Sequence, residues 1–385
     1  MRKRLMLVLS ILFAFSLVAA ACGDSGSGDN AGSGNETAST EAPSSTEAPA
    51  STEAPASTES TEAPSSTEAM AEPVKVGVVF DIGGRGDQSF NDSAAAGLDK
   101  AVAELGIEKS EAAASNDGSD REDLLNLQAE GNDLVFGIGF LFAEPITNAA
   151  KAHPDTNFAI VDTTIEDAPP NIAMLVFSEQ EGSFLVGVAA AMKTQTNKVG
   201  FIGGVNIPLI QRFQAGFEAG VKAVNPDIEI VAQYLTEPPD FSGFNDPAAG
   251  KVVGQSMYEG GADIVYHAAG GSGSGLFNAA KEYSEANGTK VWAIGVDSDQ
   301  YNTAGTDVQD YILTSMLKRV DVAVFNTIKD EVEGNFTPGV HVFDLSVDGV
   351  GYSTSGGFID DIVPQIEDFK AKIISGEITV PDTPS

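Results

Sequence analysis

Seven short runs of apolar, largely β-branched residues punctuate the chain, at 74–80, 134–138, 158–162, 199–203, 228–234, 264–267 and 291–296. None is long enough for a buried helix or alternates polar with apolar, so each reads as a strand covered on both faces. Between them, segments such as 93–104, 181–192, 209–224 and 275–286 are amphipathic or alanine-rich at helical spacing. Alternation of such strands and helices predicts an α/β protein with doubly wound parallel sheets. The alternating region covers roughly 310 residues, large for one core, so two lobes are expected. In such sheets ligands sit beyond the carboxyl ends of the strands.

The pattern differs at the N-terminus. Arg2, Lys3 and Arg4 precede an apolar run from Leu5 to Ala21, and Ala19, Ala20 and Ala21 lead into Cys22. This is the layout of a secretory signal peptide over 1–21, rather than of a retained membrane span. Cys22 is the only cysteine in the chain, and its junction resembles the lipobox of bacterial lipoproteins, which implies a lipidated Cys22 at the start of the mature protein. The plainer alternative is a secreted protein cut near Ala21. From Gly23 to Glu72 there is no aromatic residue, Lys or Arg, and Thr-Glu-Ala-Pro recurs at Thr40, Thr46, Thr52 and Thr61. Such a tract cannot bury a core, and its prolines and like charges favour extension. Residues 22–72 are therefore expected to form a stalk reaching up to ~150 Å at ~3.1 Å per residue, enough to carry a domain out through a cell wall.

Charge narrows the function. The chain has 21 Lys and Arg against 56 Asp and Glu, a net charge of -35. Residues 1–72 hold 3 of the basic and 10 of the acidic side chains, which leaves -28 on the domain. Binding to phosphate backbones runs on Lys and Arg, so nucleic acid is excluded as a partner. One cysteine excludes an intrachain disulfide framework, and His153, His267 and His341 are too far apart for a local zinc motif. No metal or cofactor is expected.

The candidate chemistry lies at the strand ends. The first strand runs into Asp81-Ile-Gly-Gly-Arg-Gly-Asp-Gln-Ser-Phe90-Asn91, a glycine-rich loop that could bring Asp81, Phe90 and Asn91 to one cleft. Asp162 ends the third strand, and Asp297 ends the run before Ser298-Asp299-Gln300. Each residue also has a duller reading. Asn91 or Ser89 could cap a helix, Asp162 and Asp297 could do the same, Phe90 and Phe244 could be core residues, and Lys318 could be a solvated lysine.

Seven fragments in order resemble the basic membrane protein family of ABC-transporter substrate-binding lipoproteins. They are the Asp81 to Asn91 loop, Phe177 to Gly182, Gly203-Gly204 through Phe217, Gly270 to Gly275, Gly295 to Gln300, Ser315 to Arg319, and Lys372 to Pro381. The resemblance implies two α/β lobes joined by a hinge, a periplasmic-binding-protein-like fold of type I. Lobe one would comprise 73–178 and 313–344, lobe two 179–312 and 345–385. It implies a monomeric, non-enzymatic receptor anchored by lipid to the outer face of the cell membrane. Its expected partners are a purine nucleoside and the permease and ATPase subunits of an importer. By the same resemblance, Phe90 and Phe244 would sandwich the base, Asp81, Asn91 and Asp162 would meet its polar edge and the cleft, and Gly271, Asp297 and Lys318 would hold the ribose. The loop from Thr236 to Gly243 is longer than is usual in the family, which leaves Phe241 as an alternative to Phe244.

The residues suit that ligand chemically. Aromatic faces stack on a base, a carboxylate can accept from neighbouring sugar hydroxyls, and three carboxylates beside one lysine disfavour phosphate. Two other readings stay open at this stage: a hydrolase cleaving nucleosides, and a surface sensor for another flat ligand such as riboflavin.

Overall fold

The structure, a computed structural model, describes residues 72–385; the expected signal peptide, Cys22 and the stalk up to residue 71 lie outside the described residues. Chain order begins with β1 (Lys75–Phe80), α1 (Phe90–Leu105), β2 (Glu108–Ala113), α2 (Arg121–Ala129), β3 (Leu134–Ile138), α3 (Ala143–Ala152), β4 (Asn157–Val161) and β5 (Ile172–Phe177). It continues through α4 (Glu179–Lys193), β6 (Lys198–Val205), α5 (Pro208–Val224), β7 (Glu229–Thr236), α6 (Pro247–Glu259), β8 (Ile264–Ala268), α7 (Gly273–Asn287), β9 (Trp292–Asp297), the short α8 (Gln300–Thr303) and β10 (Ile312–Lys318). Then come α9 (Val320–Val332), β11 (Gly339–Phe343), β12 (Val350–Tyr352) and α10 (Val363–Ile374).

The strands form two six-stranded sheets, in the orders β11-β5-β4-β3-β1-β2 and β12-β10-β9-β8-β6-β7. All neighbours pair in parallel except β12, which runs antiparallel to β10. Strands such as β3 and β8 are buried along their whole length, because helices cover both faces. The edge strands differ. β2 has the sequence EKSEAA with exposed and half-buried positions, and so carries none of the apolar signal that marks the inner strands. Two inner strands, β5 with the apolar run IAMLVF and β10, are added to the seven expected, of which β7 lies at an edge.

One boundary moves. The segment returning to lobe one was expected at 313–344, but β10 pairs with β9 in the second sheet, with Leu317 opposite Asp297. Residues 313–318 therefore belong to lobe two, since a strand buried on both faces cannot leave its sheet without orphaning its backbone groups. The crossing comes at Arg319. Beyond it, α9 packs on α1, where Gly97 lets the helices approach: a Cβ there would stand 2.3 Å from the Asp321 carbonyl oxygen. The chain crosses between lobes at Ser178, at Arg319 and after Phe343, and the three crossings lie together: the Ser178 N–H donates to the Phe343 carbonyl at 3.1 Å and the Arg319 N–H to Gly349 at 2.9 Å.

Candidate functional site

The strand orders set an axis for the space between the lobes. The crossings leave from the ends of β5, β11 and β10, at one side of the two sheets. Moving away from them, lobe one presents Asp162 after β4, Gly139 after β3, Asp81 after β1, and finally the loop after β2. Lobe two presents Lys318, then Asp297, then Ala268 to Gly270 after β8, and finally the loop after β7. The carboxyl ends of both sheets thus face one cleft of about 680 Å3, measured to its walls and including its mouth.

At the hinge end the cleft is a desolvated ion cluster. Lys318 is 2% exposed, and its Nζ donates to Asp162 Oδ2 at 2.6 Å and lies 3.8 Å from Glu179 Oε1. The ammonium also stands 4.9 Å from the centre of the Phe90 ring, so it meets an aromatic face as well as carboxylates. Burial works against its charge, yet Asp162, Glu179 and Asp297 together hold its pKa above that of an ordinary lysine. The acids feel the reverse. Burial pushes Asp297 up to about 6 and Glu179 up to about 7, with Lys318 pulling both down. Asp162 and Asp297 occupy left-handed backbone conformations, with φ of 75° and 63°. Non-glycine residues rarely adopt these, and here they turn both carboxylates into the cleft as the strands end.

The middle of the cleft is aromatic. Phe90 opens α1, Phe213 comes from the first turns of α5, Phe140 follows β3 and Phe244 sits in the loop after β7, and all four line the space. Phe244 is held over two glycines: a Cβ on Gly204 would fall 2.6 Å from its ring, and Gly270 passes beneath its carbonyl at a φ of 53°. Phe140 meets the Phe244 ring edge-on at 6.5 Å. Asp81 lines the same wall and is paired with Arg121 at 2.6 Å. Asn91 donates to Asp87 Oδ2 at 3.1 Å. The Asp87 carboxylate also accepts from the backbone N–H groups of Ser89, Asn91 and Asp92, so Asp87, not Ser89 or Asn91, caps α1.

Seven of the eight residues singled out from the sequence, Asp81, Phe90, Asn91, Asp162, Phe244, Asp297 and Lys318, line this one cleft. Gly271 does not. It lies behind the wall, where an added Cβ would meet Asn245 Oδ1 at 3.2 Å, and the neighbouring Gly270 takes its place at the surface. Phe244 lines the cleft and Phe241 an adjoining chamber. Sequence reasoning passed over Ser89, which donates to Asp297 Oδ2 at 2.6 Å from the opposite lobe, and Glu179, the buried partner of Lys318. Both lie inside motifs already noticed, whereas Phe140 carries no local signal. No group of His, Cys, Asp or Glu among the described residues is arranged to hold a metal ion.

The two lobes touch across the cleft. Besides Ser89 to Asp297, the Gln300 Nε2 donates to the Gln88 carbonyl at 2.9 Å and the Ser298 hydroxyl to the Ser89 carbonyl at 3.1 Å. These bonds, like Lys318 to Asp162, join residues of opposite lobes.

Comparison with known proteins gives this geometry a context. The family described as ABC transporter substrate-binding protein, PnrA-like, matches residues 74–384. A Listeria monocytogenes protein named CD4+ T-cell-stimulating antigen is 39% identical over 80% of this chain and 88% of its own. The Lactococcus lactis ABC transporter nucleoside-binding protein BmpA is 37% identical over 80% of this chain and 89% of its own. Basic membrane protein A of Borreliella burgdorferi is 34% identical over 81% and 88%. Among solved structures, an ABC-transporter solute-binding protein of Aeropyrum pernix superposes with a TM-score of 0.70 at 33% identity, covering 80% of this chain and 94% of that one. No helix of the described residues is long and apolar enough to cross a membrane. The chain belongs to the Bmp, or PnrA-like, family of extracytoplasmic ABC-transporter substrate-binding proteins, which hold a small molecule for a transporter and are not enzymes.

Proposed function

We propose that the protein is a lipid-anchored receptor that binds a purine nucleoside between its lobes and delivers it to a membrane permease. The observation that carries this reading is the ordering within one cleft: a buried Asp297–Lys318–Asp162 group at the hinge end and aromatic rings beyond it. A ribose suits the first part. An ionised Asp297 accepts from two vicinal hydroxyls, and Lys318 supplies a donor beside them. A base suits the second, where stacking contributes roughly 1–3 kcal/mol and needs only a flat face. The name of the Lactococcus relative points the same way. Phosphate is disfavoured, because Asp81, Asp87, Asp162 and Asp297 all line the cleft and Lys318 is the one cation among its lining residues.

Binding is then lobe closure. Ser89 reaches Asp297 only when the lobes meet, so a sugar bound to Asp297 lies against the contact that completes the closed state. The stalk and Cys22 would tether this closing domain to the outer face of the membrane. Titration calorimetry with adenosine, inosine and guanosine, set against the corresponding monophosphates, tests the ligand. Binding of free nucleosides well ahead of monophosphates is expected, and no binding of any purine nucleoside would overturn the assignment. Detergent-phase partitioning of the wild type, lost in Cys22→Ser, tests the anchor.

A further inference from the structure

Beyond the mouth end of the cleft lies a second chamber of about 990 Å3, again counted with its opening. It is continuous with the cleft at Ile82 and Leu141, which line both. Its walls come from opposite lobes: Asn116, Asp117 and Arg121 from the β2–α2 region, and the segment from Pro239 to Asn245 after β7. These follow the outermost strands of the two sheets, β2 and β7, so the chamber lies at the far end of the axis from Lys318.

We infer that the second chamber is a subsite for an uncharged, apolar substituent on the outer edge of the nucleobase, so that the receptor takes base-substituted purine nucleosides as well as the parent compounds. This rests on the nucleoside reading above and adds a direction to it. With the sugar at Asp297 and Lys318 and the base among the phenylalanines, the outer edge of the base points at Ile82 and Leu141. An atom attached there enters the chamber instead of meeting a wall. The lining decides the chemistry. Ile82, Leu141 and Phe241 offer apolar surface, and Phe241 is held edge-on to Phe140 at 5.9 Å. Asp117 and Asp240 stand at the exposed rim, and Arg121, the one cation of the lining, is already committed to Asp81 at 2.6 Å. An anionic substituent therefore finds no free countercharge, while an aromatic or alkyl group loses water against three apolar side chains. The sugar end has no such outlet, because Lys318 and Glu179 close it with 2% and 1% exposure.

Calorimetry on detergent-solubilised full-length protein with adenosine, N6-benzyladenosine and 5′-O-benzyladenosine tests this. The N6-benzyl compound should bind within about tenfold of adenosine, and the 5′-benzyl compound at least about a hundredfold more weakly. Ser242→Trp, which fills the chamber from an exposed position outside the cleft lining, should leave adenosine unchanged and weaken the N6-benzyl compound by about tenfold or more. If adenosine binds but the N6-benzyl compound is lost as completely as the 5′-benzyl one, the subsite is refuted and the nucleoside reading stands. Equal affinities of Ser242→Trp and wild type for the N6-benzyl compound also refute the subsite. If the wild type binds none of the parent nucleosides adenosine, inosine and guanosine, both fail together.

Discussion

Replacing Asp297 by Asn keeps the side chain's shape and removes its charge, and the structure sets opposite expectations for binding and for stability. In binding, a charge-assisted hydrogen bond contributes about 1.5–3 kcal/mol against about 0.5–1.5 for a neutral one. Two sugar hydroxyls donating to Asp297 would thus lose about 2–3 kcal/mol in the variant, or roughly 30- to 150-fold in affinity. In stability, burial raises Asp297 from 3.8 to about 6 against the opposing pull of Lys318 and Ser89. An acid harder to ionise when folded makes the folded state less favourable at neutral pH, by roughly 3 kcal/mol here. Ligand-free Asp297→Asn should therefore melt several degrees higher than wild type at pH 7.5, and this gain should vanish below about pH 4, where the carboxyl is protonated in both states. The affinity of the wild type carries the same signature with its own sign. Protonation removes the acceptor, so nucleoside binding should weaken about tenfold between pH 7.5 and pH 5, and the variant should show less of this dependence. Calorimetry across that range and thermal melts without ligand supply both readouts. A variant that binds as tightly as wild type, or a wild type whose affinity does not fall on acidification, would refute Asp297 as the sugar's acceptor.

Three other substitutions probe separate parts of the design. Phe244→Ala should cost about 1–3 kcal/mol of nucleoside affinity, measured by calorimetry. Lys318→Met leaves Asp162 buried without its cation and Glu179 with only Arg212, 3.5 Å away; urea unfolding at pH 8 should show a loss of about 3–5 kcal/mol. Without Lys318 to pull it down, Glu179 in the variant should take up its proton above pH 7, so that loss should shrink as pH falls toward 7 and stay constant below it. Gly97→Ala forces a Cβ against the Asp321 carbonyl and should destabilise the α1–α9 packing by about 1–3 kcal/mol in the same assay, leaving the cleft chemistry intact.

Much of the architecture is legible along the chain because inner strands of parallel sheets must be apolar on both faces and the helices between them on one. β1, β3, β4, β6, β8 and β9 announce themselves for that reason. β2 does not, since an edge strand with a wet face is free to be EKSEAA. Candidate chemistry was legible where residues cluster at strand ends, as with Asp81, Phe90, Asn91, Asp162 and Asp297. What no local pattern contains is which of those ends meet. That β10 stays in lobe two and carries Lys318 to Asp162 is decided by strand pairing between segments far apart in the chain. The tertiary structure likewise puts Gly270 rather than Gly271 at the cleft wall, makes Ser89 and Asp297 neighbours across 208 positions, and opens a chamber between loops from different lobes. Periodicity records the surroundings of a residue's own element, whereas a cleft between lobes is made of contacts that exist only once both sheets have formed and closed.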